Sequence, residues 1–180
     1  MPRLFLAIDP PPAVADAIAD LRSETLDGRW TDPEQYHLTL RFIGDVAEEK
    51  IPDLRDAAAP ENAAPFELAP RGLGVFPTRR NPSVVWVDLE DQPALFELQE
   101  RMENRLVAAG LEPEDRPFTP HITVARVRHL DAETVHRFLR EHEEFDAPAF
   151  RVSSYYLYDS ELHPDGARHT RLETYSLTEA

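Results

Sequence analysis

The sequence predicts an α+β fold of two pseudo-symmetric lobes, each an antiparallel sheet with helices on its outer face, enclosing a central groove. Three observations predict it. Strand-like and helix-like segments interleave over 180 residues without a long linker. The pattern His-apolar-Thr-apolar occurs twice, at His37-Leu38-Thr39-Leu40 and His121-Ile122-Thr123-Val124, 84 positions apart. Each copy sits in an alternating stretch, as expected of a strand that covers a core with one side and presents polar groups on the other. The length suffices to bury a sizeable core, so residues 1–180 are read as one domain made of two lobes.

From the N-terminus, Arg3 to Ile8 read as a short buried strand. Pro10 to Pro12 then lead into a helix whose Val14, Ala17, Ile18 and Leu21 share a face. His37 to Ile43 alternate, with Leu38, Leu40 and Phe42 expected on one side and His37, Thr39 and Arg41 on the other, until Gly44-Asp45 ends the strand. A helix is expected from about Glu48 to Ala59. Two strands follow, around Phe66 to Phe76 and Ser83 to Leu89, joined by a loop with Arg79 and Arg80 at its tip. Gln92 to Ala109 place Leu95, Leu98, Met102 and Leu106 at helical spacing before Gly110. A second alternating strand runs from His121 to Val127. Asp131 is suited to cap a short helix reaching about Glu141, and Ala149 to Leu157 and Arg168 to Leu177 read as two final strands.

Composition excludes several classes of function. No cysteine is present, which removes disulfides, a thiol nucleophile and thiolate metal sites. No apolar run approaches the ~18 residues of a membrane span, so no membrane partner is expected and the expected compartment is the cytoplasm. The formal charge is −15, and Lys50 is the only lysine among the 19 basic residues. Such a composition suits a protein kept hydrated in concentrated salt, and equally a GC-rich genome. It argues against a protein that coats nucleic acid, while leaving room for a local arginine-lined site.

The chemistry resides in the repeated motif. Side chains at i and i+2 of a strand share a face, so each copy projects an imidazole and a hydroxyl together. If the two halves face each other, two imidazoles flank one space, an arrangement suited to general acid–base work near neutral pH. Thr hydroxyls and a guanidinium suit a phosphate. The other histidines, His129, His136, His142, His163 and His169, lack such a partner pattern and read as surface or structural residues. No closely spaced ligand set for zinc occurs, and Arg71-Gly72-Leu73-Gly74 lacks the later Gly and the Lys of a phosphate loop; its glycines read as marks of a bent strand.

These residues resemble the two-histidine (2H) phosphoesterases, and within them the RNA 2',3'-cyclic phosphodiesterase branch, also called the 2'-5' RNA ligase family. The resemblance extends in order through Arg3 to Asp9, His37 to Gly44, Gly72 to Pro77, Val85 to Val87, Phe118 to Arg126 and Leu157 to Gly166. It implies a bilobal fold and hydrolysis of a terminal ribose 2',3'-cyclic phosphate to the 2'-phosphate, with no metal and no cofactor. It further implies His37 and His121 as the catalytic pair, and Thr39, Thr123 and Arg126 as phosphate-binding residues. Joining of RNA ends at the same site without ATP and a non-catalytic RNA-end-binding module are the alternatives. Partners are expected to be RNA ends or small nucleotides, and the protein is expected to be a monomer. Arg41, Arg71, Arg79 and Arg80 are candidates for steering an RNA backbone. Strand parity turns Arg126 away from His121 and Thr123 unless the strand ends or bulges between them.

Overall fold

The computed structural model describes residues 1–78, 80–128 and 130–179. Its strands are β1 (Arg3–Ile8), β2 (Gly28–Trp30), β3 (Leu38–Asp45), β4 (Phe66–Leu68), β5 (Pro70–Pro77), β6 (Pro82–Leu89), β7 (Ile122–Val127), β8 (Phe150–Val152), β9 (Ser154–His163) and β10 (Gly166–Ser176). The α-helices are α1 (Pro12–Ala19), α2 (Ile51–Ala58), α3 (Pro93–Ala108) and α4 (Ala132–Glu141). Arg79 and His129 lie outside the described residues.

The order β10-β9-β1-β3-β7-β6-β5 is antiparallel throughout, with β2 attached to β7 and a separate β4-β8 pair. The two lobes are therefore halves of one path. β3 and β7 pair in register at one position, Leu38 opposite Ile122, the equivalent positions of the two His-x-Thr motifs. This narrow seam sets the motifs side by side, Leu38 and Ile122 each following directly on the motif histidine.

Helices α2 and α3 cover the β1, β3, β9 and β10 half. The Tyr155 hydroxyl donates to the Ala58 carbonyl and the Tyr175 hydroxyl to that of Arg55, pinning α2 to the strands below. The α3 positions Leu95, Leu98, Met102 and Leu106 are all buried, as their spacing predicts. Helix α4 covers the other half, where Phe138 meets Trp30 of β2 edge-on. Asp131 caps α4 by accepting from the Thr134 amide at 2.7 Å. A continuous apolar core runs under both halves. Among the described residues no helix is long and apolar enough to cross a membrane.

Several boundaries differ from the sequence reading. The segment around Phe66 to Phe76 divides into β4 and β5, and the register shifts between Pro70 and Leu73, where Gly72 takes φ +80°. That is the bent strand the glycines predict. The final hairpin is longer than expected: β9 continues to His163 and β10 starts at Gly166, because Pro164-Asp165 make a two-residue turn between the paired His163 and Gly166, with φ +132° at the glycine. β2, only three residues long and containing a glycine, carries too weak a pattern to be recognised in sequence.

Candidate active site

β3 and β7 carry the same irregularity, and it decides which side chains reach the groove. Against β1, Ala7 faces Thr39 but Leu6 faces Arg41, so Leu40 is an extra residue in β3. Against β6, Trp86 faces Thr123 but Val85 faces Ala125, so Val124 is an extra residue in β7. Each is a β-bulge one position after the motif threonine, and it inverts the alternation beyond it. Leu40 and Arg41, like Val124 and Ala125, are consecutive buried residues. Phe42 and Arg126 are thereby returned to the side of Thr39 and Thr123. The bulge required to bring Arg126 to the groove is present.

His37, Thr39, Phe42, His121, Thr123 and Arg126 line one groove with a volume of about 770 Å³. The two imidazoles are held alike. His37 Nδ1 lies 2.7 Å from the carbonyl oxygen of Gln35, and His121 Nδ1 lies 2.7 Å from that of Thr119. A carbonyl only accepts, so each Nδ1 carries the proton and each Nε2 is left free for a group in the groove. Neither threonine hydroxyl has a partner among the described residues, so both are available to phosphoryl oxygens.

The surroundings hold both rings toward the neutral state. Burial lowers the pKa of His37, opposed by its bond to Gln35 and by the charge of Asp9; the presence of His121 lowers it further. Burial likewise lowers that of His121, opposed by the Thr119 carbonyl, with Arg126 adding a lowering contribution and Asp88 an opposing one. Aromatic rings supply the apolar walls. Phe5 lies 5.0 Å from His37, and Phe76 and Trp86 lie 4.9 and 5.7 Å from His121, ring centre to ring centre.

The candidate arginines divide. Arg41 does not face the groove: the bulge turns it inward, where it is 8% exposed and paired with Glu103 of α3. The expectation that it steers a ligand is corrected by that register shift. Arg71 also lies elsewhere, at the start of β5, paired with Glu90 at 2.7 Å and at the opposite end of the strand from Phe76, whose ring meets His121. Arg80 is exposed on the turn after Pro77 and is not part of the groove lining, and Arg79 is outside the described residues. Conversely, His169 is a groove residue that its sequence context did not reveal. Its ring lies 5.4 Å from His37 and 4.9 Å from Phe5, both edge-on, and burial lowers its pKa. Arg29 and Arg168 also line the groove.

The model of the family described as LigT like Phosphoesterase matches residues 8–86 and again 87–169, each match containing one His-x-Thr motif. The chain belongs to the LigT-like phosphoesterase family. The double match is the repeat that places the two motifs opposite each other in this phosphoesterase. A curated relative from Methanothermobacter thermautotrophicus, named RNA 2',3'-cyclic phosphodiesterase, is 32% identical over 97% of this chain and 98% of its own. One of the same name from Thermus thermophilus is 33% identical over 97% of this chain and 90% of its own. Among solved structures, E. coli LigT complexed with 3'-AMP superposes with a TM-score of 0.79 at 26% identity, covering 99% of both chains. A Thermus thermophilus protein gives 0.82 at 28% identity over 98% of both. The antiparallel, two-lobed architecture of the LigT-like phosphoesterases is thus that of this chain.

Proposed function

We propose that this chain, acting as one two-lobed domain, hydrolyses a ribose 2',3'-cyclic phosphate at an RNA end or on a small nucleotide to the 2'-phosphate. His37 is the general acid and His121 the general base, and no metal takes part. The observation that carries the reading is the matched pair of imidazoles on one groove, each with Nδ1 occupied by the carbonyl oxygen two residues before it. The names of the curated relatives support the substrate class, and the 3'-AMP bound to E. coli LigT supports a nucleotide in the groove.

In this reading the cyclic phosphate sits between the rings, its oxygens held by the Thr39 and Thr123 hydroxyls and the Arg126 guanidinium. Water attacks phosphorus in line with the 3'-oxygen and gives its proton to Nε2 of neutral His121. The bond from phosphorus to the 3'-oxygen breaks as Nε2–H of protonated His37 delivers a proton to that oxygen. His121 then holds a proton that His37 lacks, and exchange with solvent restores both. The lowered pKa of His121 keeps it ready to accept. The nearby Asp9 and the incoming phosphate anion favour the protonated form of His37. Charge that accumulates on the phosphoryl oxygens meets donors already in place. Among the described residues no group of three or more His, Asp or Glu side chains is arranged to hold a metal ion.

Incubation with a nucleoside 2',3'-cyclic phosphate in EDTA tests the reading. The expected product is the 2'-monophosphate, and His37→Ala and His121→Ala each lower kcat by roughly 10²–10⁴. Absence of product across a range of salt concentrations, or near-full activity in either variant, contradicts it.

A further inference from the structure

Short strand β2 places Arg29 directly opposite Arg126 of β7. Residues so paired project to the same face with Cβ atoms about 5 Å apart, and like charges there repel. The placement is built into the backbone. A Cβ added at Gly28 would come within 2.6 Å of the Arg126 carbonyl oxygen, so β2 lies against β7 more closely than another residue would allow. The Arg29 guanidinium reaches under the tip of the β9–β10 hairpin and donates to the Asp165 carbonyl, in space that a Cβ at Gly166 would fill. Arg168, on the same hairpin, completes a cationic rim.

In a chain of net charge −15, three arginines therefore converge on one groove, against two carboxylates, Asp32 and Asp165. Asp165 is shared with Arg168 at 3.4 Å, and Arg126 has no carboxylate partner among the described residues. Two like charges paired across β2 and β7 are stabilised by an anion held between them, and the functional reading gives Arg29 and Arg168 no role on the catalytic phosphate.

We propose that Arg29 and Arg168, sharing Arg126 with the catalytic centre, form a second anion subsite. It takes the phosphodiester that precedes the terminal cyclic phosphate. The proposal rests on the functional reading above and makes an oligonucleotide end, rather than a mononucleotide, the preferred substrate. Arg29 and Arg168 are specificity-determining residues in it.

The test compares kcat/KM for a nucleoside 2',3'-cyclic phosphate, a dinucleotide ending in the same group, and that dinucleotide with an uncharged methylphosphonate linkage. The wild-type protein is expected to prefer the charged dinucleotide by about tenfold or more, and to lose that preference with the methylphosphonate. The logarithmic salt dependence should be steeper for the charged dinucleotide by about 0.7. Arg29→Ala should lower kcat/KM for it by about tenfold or more and leave the mononucleotide within about threefold, with partial recovery in Arg29→Lys. Exposed Arg168→Ala should act in the same direction without disturbing the fold. Equal use of both dinucleotides by the wild-type protein, or an equal loss on all substrates in Arg29→Ala, overturns the subsite. A wild-type protein that turns over none of the three substrates overturns the functional reading instead.

Discussion

Replacing Arg41 by Ala separates the two roles that its sequence position allows. In the structure its guanidinium donates to both oxygens of Glu103, Nη2 at 3.3 Å, and to the carbonyl of Phe42 at 2.7 Å and that of Glu112. Glu103 is 19% exposed and, among the described residues, otherwise accepts only from the Glu114 amide at 2.8 Å. The substitution leaves that carboxylate poorly compensated and removes a donor from two carbonyls. Breaking a buried ion pair costs about 3–5 kcal/mol. For a chain of this length each kcal/mol moves the melting temperature by about 2–4 °C, so a fall of roughly 6–20 °C is expected. The double variant Arg41→Met with Glu103→Leu, which removes both charges and keeps apolar volume, should recover much of that loss. Calorimetry measures the melting temperature. At temperatures where the variants remain folded, kcat/KM on cyclic phosphate should stay within about threefold of the wild-type value, because the side chain lies on the far side of the bulge. A variant that melts normally but loses tenfold in kcat/KM on RNA ends would return Arg41 to the groove and refute the bulge argument.

Other outcomes follow from the same geometry. Because burial lowers the pKa of both His37 and His121, kcat/KM plotted against pH should be bell-shaped with its maximum below pH 6.5; a maximum well above neutrality contradicts the assignment. The profile of kcat should lie to the alkaline side of it, since bound phosphate favours both charged imidazoles. Stability should fall on acidification. His37, His121 and His169 bind protons less readily folded than their ordinary 6.5, so the unfolded chain takes up more protons as pH drops through and below that value. This contribution is fully present above pH 6.5, and His169→Phe should flatten the dependence of melting temperature on pH. Gly74→Ala places a Cβ against the Trp86 indole that backs His121. It should cost about 1–3 kcal/mol by denaturant unfolding and lower kcat as well.

Much of this site is legible in the sequence because the informative residues repeat. His-x-Thr recurs with identical spacing, and two copies on polar strand faces are hard to explain by packing alone. Strand alternation, however, is a rule for unbroken strands. It assigns Arg41 and Phe42 to the wrong sides because nothing in Leu40-Arg41 signals a bulge, which arises from pairing with β1 across more than thirty intervening residues. The same rule applied to Arg126 correctly shows that a bulge is needed but not whether it exists. His169 and Arg29 escape for a related reason. Their neighbours in the groove come from distant strands: His169 meets Phe5 and His37, and Arg29 meets Arg126 and Asp165. No local pattern encodes those meetings. The apolar periodicity of α3 and the Asp131 cap depend on contacts within a few residues, and both are found where the sequence puts them.

In the proposed mechanism His37 and His121 act on one phosphate through their Nε2 atoms. Imidazole nitrogen resonances, followed by NMR as a nucleoside 2'-monophosphate is added, test it most directly. Nε2 of both rings should shift with a single common affinity, while both Nδ1 atoms stay protonated against the Gln35 and Thr119 carbonyls. Movement of only one ring, or two rings that saturate at different ligand concentrations, would contradict it.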